Sequence, residues 1–457
     1  MEPENIRFGG GSPVTVLHPL VAVATLFAVV LILCLRRKYV IVPLFLAIFF
    51  TPKGQQIVAM GLHFNIYRIL ILAGLARWAV SRRSSPTTGG FNFMDRICTA
   101  FFLSNFVVSL LLYMQIQAVI KSTGDLLDAL GGYFVVRFLI QDREDILRTI
   151  KVLTAVALIS AICMLNEQRT GVNIFGLLGG IPGETTRDGK IRSQAAFEVF
   201  TTAGTFGATL LPLLIWLWSQ AKSRMISVIG IFAATIMAVT CYASTTLVAY
   251  AGGILALCFW PIRRNMRLVL WGIVAMLVSL HLVMHGPVWS LIEHIDFTGS
   301  SSSYHRYMLI DNLIRHFGDW WLVGTKDNGS WGFDMWDTSN QYVMYAFSGG
   351  LLAFILFLTI ISRGFSKLGK VRRLVEGNRS AEWFLWCLGA GLFSHVVAFF
   401  GIDYMDQIQF AWFALLAIIS VAVFELTSSA VPHVQEMQMS SYEVHAASFR
   451  DMREVKQ

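Results

Sequence analysis

Residues 343–360, VMYAFSGGLLAFILFLTI, carry no charged group and follow directly on a polar island, DTSNQY, at 337–342. As a helix rising roughly 1.5 Å per residue, such a run nearly matches a hydrocarbon core of roughly 30 Å. The junction raises two questions: whether the rest of the chain is equally apolar, and why hydrogen-bonding groups gather where this run begins.

The 457 residues are 55% hydrophobic and only 14% charged, and the mean hydropathy of +0.61 lies outside the range of ordinary soluble domains. Apolar runs recur at about residues 14–35, 39–51, 64–80, 97–114, 124–140, 152–165, 195–218, 225–241, 243–260, 268–285, 341–362, 383–402 and 408–427. They predict an all-α, polytopic transmembrane helical bundle of about 12–13 spans. The net charge of +8 does not gather on one face or in a nucleic-acid motif, so nucleic acid is not expected as a partner; membrane lipids are. With Arg36 to Lys38 placed in the cytoplasm, Arg82-Arg83, Arg143 to Lys151, Lys222 to Arg224, Arg263-Arg264 and Lys367 to Arg379 fall on the same side.

Cys34, Cys98, Cys163, Cys241, Cys258 and Cys387 sit in or at the ends of apolar segments, without metal-ligand spacing or a paired framework, and read as packing residues. The acidic start, MEPENIRFGGGSP, and the RRK after the first run argue against a cleaved signal peptide. Residues 1–427 therefore read as one integral membrane domain. Its outer loops lie at about 166–194 and 286–340, and 428–457 form a cytoplasmic, disordered tail. The longer loop holds Trp289, Trp320, Trp321, Trp331 and Trp336, five of the 13 tryptophans, which argues against disorder there and puts function on the outer face.

Within that loop, SSSYHRYMLIDNLIRHFGDWW predicts a helix that starts after capping serines and ends before Gly318. Leu309, Ile310, Leu313, Ile314 and Phe317 share one face, with Arg306 in its middle and Arg315 opposite, near Asp311, as a solvated charge. An arginine among aliphatic groups calls for an anionic partner, a headgroup or a phosphate; its planar fork suits a phosphate clamp. Arg192, after Arg187 and Lys190 in GETTRDGKIRSQAAF, is a second outer arginine, and Arg68 in FNIYRILIL a weaker third. Two separated guanidiniums can grip a diphosphate and stabilise its charge as it leaves. The tryptophans fit an interfacial belt as well as stacking on sugar rings, Trp331 and Trp336 being nearest the island.

In the island, Asp337, Ser339, Asn340 and Tyr342 can hydrogen-bond and a carboxylate can act as general base. Asp337 or Ser339 also fits a helix cap, whereas Asn340 is harder to read as one if the span has already begun. Asp403 and Asp406 in GIDYMDQIQF share a turn that offers weak evidence for a cation, and His395 reads as a packing residue. No nucleotide loop, hydrolase triad or zinc motif is present in the sequence, and no cofactor or metal is expected.

Taken together, the many spans, the large outer loop with its arginine-bearing helix, WWLVGT, the N-x-Y of 340–342 and SGGLLAF resemble the O-antigen ligase and O-antigen polymerase superfamily. RSQAAFEVFTTAGTFGATLLPLLIWLW and ASTTLVAYAGGILAL resemble that family's Arg-led span and the Ser-containing span after it. The resemblance covers roughly residues 150–360 and implies a GT-C-like membrane glycosyltransferase. Such an enzyme moves glycans from undecaprenyl diphosphate at the periplasmic face of the bacterial inner membrane, without metal. It implies Arg192 and Arg306 on the carrier diphosphate and Asn340 ahead of the last spans, with a chain-length regulator and a flippase as protein partners. Where the ligases carry His before that Asn, this chain has Ser339, which favours polymerisation of repeat units over ligation and leaves Asp337 or His305 to replace the base. Substrate contacts then fall to Arg68, His305, Arg315, Trp331, Trp336 and Tyr342. The alternatives are an O-antigen ligase and, from another class, a secondary transporter or polysaccharide exporter. A transporter of that kind would show a repeat between halves and spans broken by Gly or Pro that meet at mid-membrane, and the sequence reveals neither.

Overall fold

The structure, a computed structural model, describes residues 14–59, 61–81, 87–180, 186–187, 189–294 and 302–454, with the backbone alone beyond residue 430. Its helices are α1 (Pro19–Cys34), α2 (Arg37–Phe50), α3 (Ile66–Val80), α4 (Phe93–Tyr113), α5 (Ile116–Leu126), α6 (Gly132–Leu139), α7 (Arg143–Thr170) and α8 (Phe200–Trp218). They continue with α9 (Arg224–Thr240), α10 (Ser244–Cys258), α11 (Met266–Val283), α12 (Ser302–Arg315), α13 (Phe317–Trp320), α14 (Gln341–Leu374), α15 (Arg379–Ala398) and α16 (Gln407–Glu454). A π-helical turn, Leu127–Gly131, joins α5 to α6 without a break. Each of the apolar runs read from the sequence carries helix. Among the described residues eight helices are long and apolar enough to cross a membrane, while α1 and α10 are shorter apolar helices.

The only described strands are two short hairpins, Gln56–Ala59 with Leu62–Asn65 and Thr186–Arg187 with Lys190–Ile191. The capping serine before α12 and the tail side chains beyond 430 fall outside the described residues. α8 is the most enclosed span: from Thr202 to Leu214 every residue is buried, and it packs on α7, α9, α10 and α15.

At one end, short basic connectors are tied by ion pairs. Arg37 meets Asp145 at 2.6 Å, Arg263 meets Glu382 at 2.9 Å and Arg264 meets Glu376 at 2.7 Å. Close by in the chain, Asp95 and Arg137 are both wholly buried, 3.3 Å apart. Asp95 also accepts from Tyr133 Oη at 2.6 Å and from the Asn92 amide at 3.0 Å, which closes a capping box at the start of α4.

The run that opened the sequence reading is not one straight helix. α14 breaks at Gly350, whose φ of 65° and ψ of −169° lie outside the helical region. This corrects the reading that no span is broken by glycine. The groups freed by the break are taken up by WWLVGT: Leu351 N donates to Trp321 O and Thr325 N to Phe347 O, both at 2.9 Å. Gly324, at φ 74°, lies against this break, where a Cβ would sit 1.9 Å from Phe347 O. A side chain is excluded at both glycines, by backbone conformation at 350 and by space at 324. The break therefore docks the long loop onto the bundle.

Because Asp95 has no water to turn to, Arg137→Leu should lower stability by about 3–5 kcal/mol, read as thermal unfolding in detergent. The double variant Asp95→Asn/Arg137→Met should recover most of that loss; equal instability of the two would show that the ion pair is not what Arg137 supplies.

Candidate functional site

At the end of the bundle away from those ion pairs, irregular backbone is buried among helix ends and must find partners within the protein. The turn after α15, residues 399–406, is where most of them meet. Gln341 N donates to Phe399 O at 2.9 Å, and Asn340 Nδ2 to Phe400 O at 3.3 Å. Thr245 Oγ1 donates to Gly401 O at 3.4 Å, and Tyr404 N to Gln341 Oε1. Gln407 extends the seam, donating to Thr51 O at 3.3 Å and Ala196 O at 2.9 Å.

Asn340 is wholly buried and is the N-cap of α14, its Oδ1 accepting from Tyr342 N at 3.0 Å and Val343 N at 3.2 Å. The sequence reading, which made Asn340 hard to see as a cap, is corrected. The helix starts at Gln341, where the apolar run was read to begin, so Asn340 takes the capping position first given to Asp337 or Ser339. Asp337 Oδ1 instead accepts from Ser339 N at 3.1 Å and Ser339 Oγ at 2.6 Å. His305 Nε2 lies 2.9 Å from the Asp337 carbonyl, which fixes α12 to the island.

α12 spans the predicted residues, but its buried face is turned. Leu309 and Leu313 pack on Val343, Ala346 and Phe347, while Ile314 and Phe317 are about half exposed. The face first read as apolar is thus only partly covered, and Asp311 and Asn312 are buried beside it. Arg306, half-buried, reaches across to the turn: a Cβ on Gly401 would lie 3.0 Å from Arg306 Nε and 2.5 Å from Thr245 Oγ1. The absence of a side chain at 401 is what lets the guanidinium approach α10.

Arg192 follows the second hairpin on a segment pinned between two helix ends. Ser193 N donates to Thr240 O at 3.2 Å, Ser193 Oγ to Met164 O at 3.0 Å, and the amides of Gln194 and Ala195 both donate to Glu167 Oε2 at 3.1 Å. Arg192 is 8% exposed, its guanidinium 4.4 Å from the Phe200 ring centroid, on a segment bonded to Thr240, the neighbour of Cys241. Cys241 Sγ in turn lies 2.9 Å from Thr246 Oγ1. Arg306 therefore lies beside Thr245 in the first turn of α10, while Arg192 sits on a segment bonded to the end of α9, the helix that leads into it.

The other sequence candidates divide. Arg68 is gripped by Asp128 through two bonds of 3.0 and 2.6 Å and donates to His63 O at 2.8 Å. Arg315 is exposed, bonded to Asp311 at 2.6 Å, and lies roughly 13 Å along α12 from Arg306, away from the cluster. Trp331 stacks on His316 at 4.7 Å and meets Phe347 edge-on at 5.0 Å, so it packs the loop, whereas Trp336 is 72% exposed. Tyr342 donates to Val396 O at 3.0 Å amid Phe357, Phe399 and Phe400. His395, read as a packing residue, is buried with Nδ1 2.6 Å from Tyr404 Oη.

A cavity of about 560 Å³ opens beside the cluster, lined by Arg68, Asn105, Lys121, Ser348, Asp403 and Asp406 among others. Burial pushes the Asp403 carboxyl up to about 6, helped by the nearby Asp337 charge and opposed by a backbone hydrogen bond. Burial likewise pushes Asp406 up to about 6 against the pull of Lys53, and burial lowers Lys53, itself ion-paired with Glu198. Among the described residues no group of three or more His, Cys, Asp or Glu could hold a metal ion. Sequence reasoning missed Thr245 and Gly401, and read Asp403 only as weak evidence for a cation. The only signal was the GIDYMD turn itself, because its partners lie far away in the chain.

Asn340→Ala removes the cap and the bond to Phe400 O, and should lower stability by roughly 1–2 kcal/mol in thermal unfolding, with Asn340→Asp keeping part of the cap. Gly401→Ala should cost roughly 1–3 kcal/mol as Thr245 and Arg306 give way; an unchanged unfolding temperature would show that the turn tolerates a methyl there.

No protein-family model and no curated protein matches this chain, so the functional reading rests on the geometry of this polar end.

Proposed function

We propose that the protein is an inverting membrane glycosyltransferase that joins undecaprenyl-diphosphate-linked repeat units into a surface polysaccharide. An acceptor sugar hydroxyl attacks the anomeric carbon of the donor glycan, the bond from that carbon to the phosphate oxygen breaks, and undecaprenyl diphosphate leaves with the electron pair. The observation that carries this reading is that the same polar end holds Arg306, against Gly401 and the first turn of α10, and buried Arg192, beside the end of α9 that leads into that helix. Two guanidiniums and the amide end of α10 stabilise the negative charge that grows on the leaving diphosphate. Arg306 supplies a planar fork of donors that lysine lacks. Trp336, exposed beside the island, is a surface on which a sugar can stack. Asn340 holds the island in place through its cap, a positioning role.

The basic connectors gathered at the opposite end support an orientation with this site on the periplasmic face of the inner membrane. Ser339, where the ligases carry His, favours polymerisation, since its hydroxyl is bonded to Asp337.

Arg306→Ala should abolish long-chain polysaccharide while the protein stays in the membrane, and Arg306→Lys should restore only a small part; unchanged polymer length in the alanine variant would defeat the assignment. In cells lacking the chain, single repeat units should accumulate on the lipid carrier. Finished polymer on the carrier would point to ligation instead.

A further inference from the structure

We propose that the cavity beside the arginines is the acceptor subsite, taking the sugar end of a second lipid-linked glycan, and that Asp403 is the base that receives the acceptor hydroxyl's proton. The inference rests on the glycosyltransferase reading and extends it to the half of the reaction that the arginines do not serve.

The cavity has the size of a small-ligand site, within roughly 300–1,000 Å³, at about 560 Å³. Its lining mixes aromatic rings with neutral hydrogen-bonding groups: Tyr113 and Tyr345 with Asn105, Ser109, Ser348 and Gln409. That mixture suits a sugar, whose ring faces are apolar and whose edges carry hydroxyls. The carboxylates around it differ in one respect. Asp128 is held by Arg68 at 2.6 Å, Asp125 faces Lys121 at 3.7 Å, and Lys53 acts on Asp406. Among the described residues no cation pairs with Asp403. Its carboxyl faces the cavity and is raised by burial into the range where a base accepts and releases protons near neutrality.

The turn puts this carboxyl beside the leaving group's site. Gly401, the residue against which Arg306 packs, is two residues from Asp403, so their Cα atoms are at most roughly 7 Å apart. The donor diphosphate thus sits on one side of the turn and the acceptor on the other. In the step, the acceptor oxygen forms the new bond to the anomeric carbon as its proton passes to the Asp403 carboxylate. The old carbon–oxygen bond breaks and its electron pair leaves on the diphosphate, facing Arg306 and Arg192. The proton later returns to water.

The test uses full-length protein in lipid nanodiscs and carrier-linked repeat units extracted from cells lacking the chain. Asp403→Asn should cut the rate of joining by about 100-fold or more, the scale of a lost general base, with the unfolding temperature little changed and Asp403→Glu restoring part of the rate. Ser348→Trp, which fills the cavity from an exposed wall position, should raise the half-saturating concentration of repeat units at least about tenfold. An Asp403→Asn rate within threefold of wild type overturns the base assignment, and wild-type kinetics in Ser348→Trp overturns the subsite. If Asp403→Asn fails to fold, Asp403→Glu replaces it: a rate about tenfold lower supports the base, and an unchanged rate overturns it. Failure of the wild-type protein to join any units defeats the glycosyltransferase reading itself and is a separate result.

Discussion

The arrangement depends on satisfying the buried backbone of the turn at 399–406. A lipid-facing or buried carbonyl without a partner costs several kcal/mol, so this turn can exist at a helix end only because other segments reach it. Asn340, Gln341, Thr245 and Gln409 do so from the start of α14, α10 and α16, and Gln407 passes the seam on to the end of α2 and the segment before α8. A set of hydrogen bonds needed for stability thereby fixes the distance between elements that are remote in the chain. Arg306 and Asp403 belong to that frame, one packed against Gly401 and the other two residues beyond it.

The break in α14 has a matching role on the loop side. A continuous helix would present no free backbone group at Phe347 or Leu351, and the WWLVGT segment would have nothing to bond. With Gly350 out of the helical region, that segment adds its own donors and acceptors, and Trp320 closes the contact by donating to Leu313 O at 2.8 Å. The loop therefore attaches at two places, through the break and through His305 at the island. With α12 held at both ends, Arg306 has one approach to the bundle.

Much of this was legible in the sequence because the bilayer is a strict solvent. Length and hydropathy placed a helix in every apolar run, and the serine-to-glycine spacing placed α12 between the serines and Gly318, close to its observed bounds of Ser302–Arg315. What the pattern missed has physical reasons. The α12 face was misjudged because Val343, Ala346 and Phe347 come from a helix whose angle the sequence does not contain, and they cover Leu309 and Leu313 instead of Ile314 and Phe317. Asn340 was misread because Asp337, Ser339 and Asn340 all suit a cap by residue type, while the cap is set by the backbone of a single residue. SGG looked like tolerated small residues within a span, since a break shows only when its partner backbone is known. The site residues stand further from view: nothing in GIDYMD reveals that Gly401 makes room for a side chain 95 positions earlier.

Low dielectric links the charges at this end. Two unit charges at 4 Å interact by about 1 kcal/mol in water and by about 4 kcal/mol at an effective dielectric near 20. The half-buried end of the bundle works nearer the second figure, and the same condition acts on both sides of the turn. It lifts the Asp403 carboxyl towards neutrality, where proton transfer is efficient. It also strengthens whatever attraction Arg306 and Arg192 exert on an anion brought between them. Exposure to bulk water would weaken both, returning the carboxyl to the ordinary range and screening the guanidiniums. On the proposed reading, then, base and leaving-group site are not independent features. Enclosing helix ends within the bundle creates the two together, and the hydrogen-bonded turn holds them side by side.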